Sequence, residues 1–155
     1  MSKKKICIVD YGFGNITSLE NSLNYLKFDY VTLDKPKDLS NFSHLFLPGV
    51  GSFEAGMTKL KKLKWDLEIK KFIENGGYLF GICLGMQLLF KYGTNEKTNQ
   101  TIDGLGFFEG KCEKFFKKND KNKLPLPHVG FNAVKYKKTK IWNGINNLSY
   151  FYFIH

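Results

Sequence analysis

The chain contains no arginine: all 24 of its basic residues are lysines, set against 14 acidic residues for a net charge of +10. A charge of that size could suggest a nucleic-acid partner. Without a guanidinium, though, the bidentate recognition of phosphate or guanine is missing. The lysines gather at 59–71 and 111–123, interleaved with Asp66, Glu68, Glu113 and Asp120. That is the pattern of a solvated face, or of a basic docking surface for a protein partner. Cysteine is scarce as well. Cys7, Cys83 and Cys112 lie far apart and are odd in number, which argues against a disulfide framework or a zinc knuckle. Neither a metal nor a cofactor is expected, and any cysteine chemistry is thiol chemistry. Long apolar runs are missing too. The opening "MSKKKICIVDYG" has four apolar residues before Asp10, too few for a signal-peptide core or a membrane span. The expectation is a cytoplasmic protein that does not bind membranes or nucleic acid.

What is present is one core's worth of apolar residues: 155 residues, 43% hydrophobic and 16% aromatic, suggest a single globular unit. "KKICIVD" (4–10) is a β-branched strand, and "NITSLENSLNYLKF" (15–28) follows with Ile16, Leu19, Leu23 and Leu26 at helical spacing. "YVTLD" (30–34) and "HLFLP" (44–48) read as two more strands, each stopped by a proline. Residues 53–75 carry a helical pattern whose phase shifts near Trp65, hence two helices, ending at Gly76-Gly77. "YLFGI" (78–82) is the fourth strand, and "LGMQLLFKY" (84–92) reads as the helix behind it. Apolar strands alternating with helices imply an α/β fold, a doubly wound and mostly parallel sheet with helices on both faces. After about residue 94 the chain turns polar and then strand-like without helices, which predicts an antiparallel or mixed extension. The lysine and asparagine bias of 117–123 reads as a mobile loop.

In an open α/β sheet, ligands bind at the carboxyl ends of the strands. Three loops should meet there: "DYGFGN" after strand one, "PGVGSF" after strand three and "GICLGMQ" after strand four. Gly12 and Gly14 in the first, with Asp34 ending strand two, weakly mimic a dinucleotide fingerprint. Thr17 stands where its third glycine should be, and a tight turn is the simpler account.

The third loop is more specific. Gly81 and Gly85 flank Cys83 at minus two and plus two, as in a nucleophile elbow, where the turning backbone leaves no room for side chains. At a helix N-terminus the thiol would feel the positive end of the helix dipole. The competing account is a structural cysteine, which suits Cys7 within strand one. In the second loop, Gly49 and Gly51 around Val50 free the backbone to turn amide N–H groups into the crevice, and with the N–H of Leu84 these could hold an oxyanion. A plain strand-to-helix turn is the alternative.

"PGVGSF" followed by "GICLGMQLLF" resembles the class I (triad) glutamine amidotransferases. "DYGFGN", "LPHVGFN" and "YFIH" make the chain similar to the glutaminase subunits of imidazole glycerol phosphate synthase in histidine biosynthesis, from Asp10 to His155. The resemblance implies that Cys83 attacks the side-chain amide of L-glutamine and forms a glutamyl thioester. Gly49, Val50, Gly51 and Leu84 would line the oxyanion site, and Gly85 and Gln87 would hold glutamine. Asn15, beside that loop, would relay contact with a partner. Ammonia would pass to a β/α-barrel cyclase subunit in a heterodimer. A related subunit feeding a different synthase, or a noncatalytic binding module of the same fold, are the alternatives.

The catalytic base is the gap. His44 begins strand three, at the wrong end of the sheet, and His128 reads as a structural loop residue. His155 ends a strand, but "FYFIH" matches a motif that in this family precedes the histidine and glutamate of a later H-P-E segment. The 155 residues contain no such segment. The expectation is therefore a C-terminally truncated domain with little activity alone.

Overall fold

A computed structural model describes residues 5–95, 97–114 and 127–155. Two compact units emerge, residues 1–114 and 115–155, and each is described by itself.

The first unit opens with β1 (Lys5–Val9), α1 (Ile16–Tyr25), β2 (Tyr30–Leu33), β3 (Phe42–Leu47), α2 (Phe53–Lys62), α3 (Trp65–Glu74) and β4 (Tyr78–Gly81). The four strands form one wholly parallel sheet in the order β2-β1-β3-β4. The chain moves one way from β1 to β2 and the other way from β3 to β4. Right-handed crossovers therefore place α1 on one face and the α2–α3 pair on the other, and leave a switch point between β1 and β3. Burial follows this arrangement. Cys7, Val9, Leu45 and Leu47 share a core cluster with Met57, Leu60, Trp65 and Ile69 of α2 and α3.

The phase shift near Trp65 has a backbone cause. Leu63 caps α2, and Lys64 takes a left-handed conformation (φ 62°, ψ 21°) that re-aims α3 and sends Trp65 into the core. At the start of α2, Ser52 accepts from the Ala55 N–H, which satisfies one of the helix's orphan donors. α1 is more lightly anchored. Leu23 is its one fully buried residue, and Thr32 of β2 donates to Glu20 across the interface. Leu26, on the expected apolar stripe, falls at the helix cap and is exposed. Covering of both sheet faces is incomplete as well. Tyr78 (64% exposed) and Phe80 (46%) share an open face with their register partners His44, on which Tyr78 stacks, and Phe46, against which the Phe80 ring is tilted.

The segment read as one helix over 84–92 is different. α4 (Leu84–Gln87) is a single turn, and the chain straightens into β5 (Phe90–Thr94). β5 pairs antiparallel with β6 (Thr101–Asp103) and parallel with β7 (Phe108–Cys112). A helix here would forfeit those ladders, the Phe90–Phe108 ring contact and the seat of Gly93 against the Phe53 ring. The extension thus starts at Phe90 rather than 94, and its first sheet is mixed, one of the two arrangements expected, rather than purely antiparallel. The expected loop at 117–123 lies outside the described residues.

In the second unit, β8 (Val129–Ala133) and β9 (Tyr150–Ile154) form an antiparallel pair. Tyr136 stacks on Trp142, which lies in a short 3-10 turn (Lys140–Trp142), and donates its hydroxyl to the Ile145 carbonyl. His128 lies in the chain just before β8. It exchanges both backbone hydrogen bonds with His155, extending the ladder by one pair.

One consequence for stability follows from β1. Burial pushes the Cys7 thiol up from 9.0 to about 12. The unfolded chain ionises this thiol near 9 and so sheds a proton that the folded chain keeps. Stability should therefore be intact below pH 9 and fall as the pH rises from 9 toward 12. Tyr11, also pushed upward by burial and then by Cys83, acts in the same sense above pH 10. Urea midpoints between pH 8 and 10.5 should decline in the wild type and decline less in Cys7→Val.

Candidate active site

β1, β3 and β4 are neighbours and run parallel, so the loops that follow them emerge at one edge of the sheet. Asp10 shapes the first loop by accepting from the Gly12 N–H at 2.9 Å, with Gly12 at φ 84°. Gly14 brings the loop against Pro48, where an added Cβ would lie 3.2 Å from the proline ring.

Cys83 is exposed and has φ 54° and ψ −119°, a region that L residues occupy only under strain. The flanking glycines explain how the turn closes. A Cβ on Gly81 would stand 2.6 Å from the Met86 backbone, and one on Gly85 would stand 1.7 Å from the Leu47 carbonyl oxygen. Strand and helix therefore approach to backbone contact on either side of the thiol, with the Ile82 N–H donating to Leu47 O. This is an elbow that displays one side chain, the arrangement that the spacing of "GICLG" predicts. The dipole expected behind the thiol is smaller than a long helix would supply, because α4 has only one turn. Gln87 is half-buried in that turn and its N–H closes on the Cys83 carbonyl.

The loop after β3 lies directly against the elbow. Pro48 and Gly49 are buried, Val50 is 52% exposed and Gly51 has φ 104°. The Leu84 N–H, one of the expected oxyanion donors, donates to the Gly49 carbonyl at 3.2 Å. The donor is thus occupied by the loop that should assist it. Turning over the Gly49–Val50 peptide would free the Leu84 N–H and carry the Val50 N–H round in place of the carbonyl, and the glycines at 49 and 51 leave that rotation sterically open.

Asn15 caps α1, its side chain accepting from the Ser18 N–H. Two residues not singled out from the sequence reach the loop instead. The Phe13 ring lies beneath Gly51, and Tyr11, 1% exposed and stacked on Phe13, sets its hydroxyl where a Gly49 Cβ would be. The signal that could have found them is the alternation of aromatics and glycines in "YGFGN".

His44 stands toward the amino end of β3, bonded to Ser43 and stacked on Tyr78, away from the elbow. A cavity of about 740 Å³ opens at that same end, lined by Asp38, Phe42, Lys71, Asn75 and Tyr78 among others. It is remote from Cys83. His128 and His155 belong to the second unit, where their rings meet at 3.0 Å and His128 also bonds Asn132. Among the described residues no group of three metal-ligating side chains is found, and no helix is long and apolar enough to cross a membrane.

Comparison with known proteins adds lineage to this geometry. The model of the CobB/CobQ-like glutamine amidotransferase domain matches residues 7–123. A relative from Methanococcus maripaludis, named imidazole glycerol phosphate synthase subunit HisH 2, is 41% identical over 152 residues, covering 97% of this chain and 72% of the relative. The HisH subunit of Caldanaerobacter subterraneus is 42% identical (97% and 70% covered), and that of Helicobacter hepaticus 36% (100% and 75%). Among solved structures, one described as a glutamine amidotransferase superposes with a TM-score of 0.64 over 96% of this chain and 70% of its own at 18% identity, a likeness of fold.

Proposed function

The chain belongs to the class I glutamine amidotransferases, and on that footing we propose that it is the glutaminase subunit of imidazole glycerol phosphate synthase, in the line of the HisH relatives. The observation that carries the reading is the strained, exposed Cys83 between Gly81 and Gly85, facing a glycine-framed loop across the Leu84 amide.

The thiol of Cys83 gives up its proton and its sulfur attacks the side-chain carbonyl carbon of L-glutamine. The C–N bond then breaks, ammonia leaves with the added proton, and a glutamyl thioester remains. Water hydrolyses the thioester to glutamate and regenerates the thiol. The negative charge on the tetrahedral oxygen falls to the N–H groups of Leu84 and Val50 once the Gly49 carbonyl has turned away, with Gly49 and Gly51 as the pivots. The Gly85 backbone and Gln87 hold the glutamine, while Asn15 holds the start of α1 beside the loop. The resting hydrogen bond from Leu84 to Gly49 fits an enzyme held off until its synthase partner engages.

That partner would be a cyclase subunit of β/α-barrel form, which uses the ammonia to build imidazole glycerol phosphate and releases an aminoimidazole carboxamide ribonucleotide in the cytoplasm. The family match crosses from the first unit into the second, in keeping with a single amidotransferase domain.

Mass spectrometry after treatment with a diazo-ketone analogue of glutamine tests the reading. One adduct on Cys83 is expected, protected by excess glutamine and absent from Cys83→Ala. Equal labelling of Cys112, or labelling that glutamine does not slow, would overturn it. The pathway assignment is tested by rescue of a histidine auxotroph that lacks this subunit, using the complete gene.

A further inference from the structure

Tyr11 is 1% exposed, and its hydroxyl finds no hydrogen-bond partner among the described residues. A buried phenol without an acceptor is costly, and native structures rarely keep one without a use. The place of this one is specific. An ideal Cβ on Gly49 would lie 2.5 Å from the Tyr11 oxygen, 2.7 Å from the Gly85 nitrogen and 2.9 Å from the Leu84 Cβ, so the hydroxyl is wedged between the oxyanion loop and the elbow. The ring is held there by the core and by Phe13, stacked at 5.8 Å, which itself lies beneath Gly51. Both glycines of the loop therefore rest on one aromatic pair.

The same state of the loop has a second mismatch. The Gly49 carbonyl is satisfied by the Leu84 N–H, a donor that the chemistry needs. A donor lacks an acceptor, and a neighbouring acceptor holds the wrong donor. Rotation of the Gly49–Val50 peptide exchanges these. It frees the Leu84 N–H for the oxyanion and leaves the Gly49 carbonyl requiring a partner in a buried setting. Among the described residues, the other buried side-chain donor without a partner is the Trp65 indole, in the α2–α3 core.

We propose that Tyr11 is a positioning residue whose hydroxyl donates to the Gly49 carbonyl in the rotated loop, and so sets the population of the assembled oxyanion site. The proposal rests on the amidotransferase reading and adds to it the residue that stabilises the competent loop. Tyr11 does not touch glutamine, and it acts through Gly49.

The test compares two reagents on Cys83 of the intact chain, both at pH 9. A chloromethyl-ketone analogue of glutamine places a carbonyl in the oxyanion site, whereas iodoacetamide alkylates sulfur directly and needs none. Rates are read by mass spectrometry of the Cys83 peptide. Tyr11→Phe keeps the ring and should lower the chloroketone rate about tenfold, less than the 10²–10³ of losing a direct donor. The iodoacetamide rate should stay within about twofold, because burial and the neighbouring Cys83 keep the Tyr11 phenol neutral at that pH and direct alkylation uses no oxyanion donor. 3-Fluorotyrosine at position 11, which retains the donor, should restore the wild-type ratio.

An unchanged ratio in Tyr11→Phe, an equal fall in both rates, or failure of the fluorinated residue to restore the ratio would overturn the proposal. Should wild-type Cys83 show no preference for the chloroketone, the glutaminase reading fails and the role of Tyr11 falls with it. A preference that Tyr11→Phe leaves untouched removes the Tyr11 role alone.

Discussion

Cys83→Gly should give a chain that is inert toward glutamine and its analogues, yet more stable than Cys83→Ala by about 1–2 kcal/mol. The two effects come from one backbone position. At φ 54° and ψ −119°, Cys83 occupies the mirror image of the ordinary extended region, which glycine enters freely and a residue with a Cβ does not. Alanine removes the sulfur and keeps the strain, while glycine removes both. The side chain is exposed, so little packing is lost in either case. In any assembly that turns over glutamine, both variants should lower kcat by at least ~10⁴-fold, since no other group can form the thioester. Urea midpoints for the two variants decide the matter. If glycine proves no more stable than alanine, strain at the elbow is not the reason for the conformation.

Gly85→Ala should be among the most damaging single-methyl changes in the first unit. The added carbon would lie 1.7 Å from the Leu47 carbonyl oxygen and 2.7 Å from its carbon, both backbone atoms of the central β3 strand. No rotamer change relieves such a clash, so the α4 turn must move away from the sheet, taking the Leu84 N–H and Cys83 with it. The cost should exceed the ~1–3 kcal/mol usual for overpacking, a large share of the ~5–15 kcal/mol that holds a domain together. Gly76→Ala is the control. It has φ 82° but nothing within 4 Å of an added Cβ, so only the conformational penalty of about 1 kcal/mol applies. Chemical denaturation of the pair separates steric from conformational cost, and a Gly85→Ala midpoint equal to that of Gly76→Ala would contradict the backbone contact.

Much of the first unit was legible because its elements are set by local period. Alternating strands and the stripes of α2 and α3 emerge from the spacing of apolar residues, and even the break at Lys64 shows as a slip of phase before Trp65. "LGMQLLFKY" was misread for a related reason. A short apolar run fits a helix and a buried strand equally well, and what resolves it is pairing with residues 101–112, which no local pattern contains. The open face at Tyr78 and Phe80 was equally hidden, since apolar character does not say which side of a strand another element reaches.

At the site, the residue types of "GICLG" and "PGVG" were sufficient by themselves to mark a thiol on a tight turn beside a pliable loop, because only glycine allows backbones to meet there. Sequence also settled the absence of arginine and, through family likeness, the lineage. The state of that loop was decided in three dimensions. Whether the Leu84 N–H faces an oxyanion or the Gly49 carbonyl depends on one peptide orientation, and whether Tyr11 is a core aromatic or a hydrogen-bond donor in waiting depends on which atoms close around its hydroxyl. Hydrogen bonds between loops from different strands are set by where the sheet brings those loops, and the sheet order is a property of the whole fold rather than of any stretch within it.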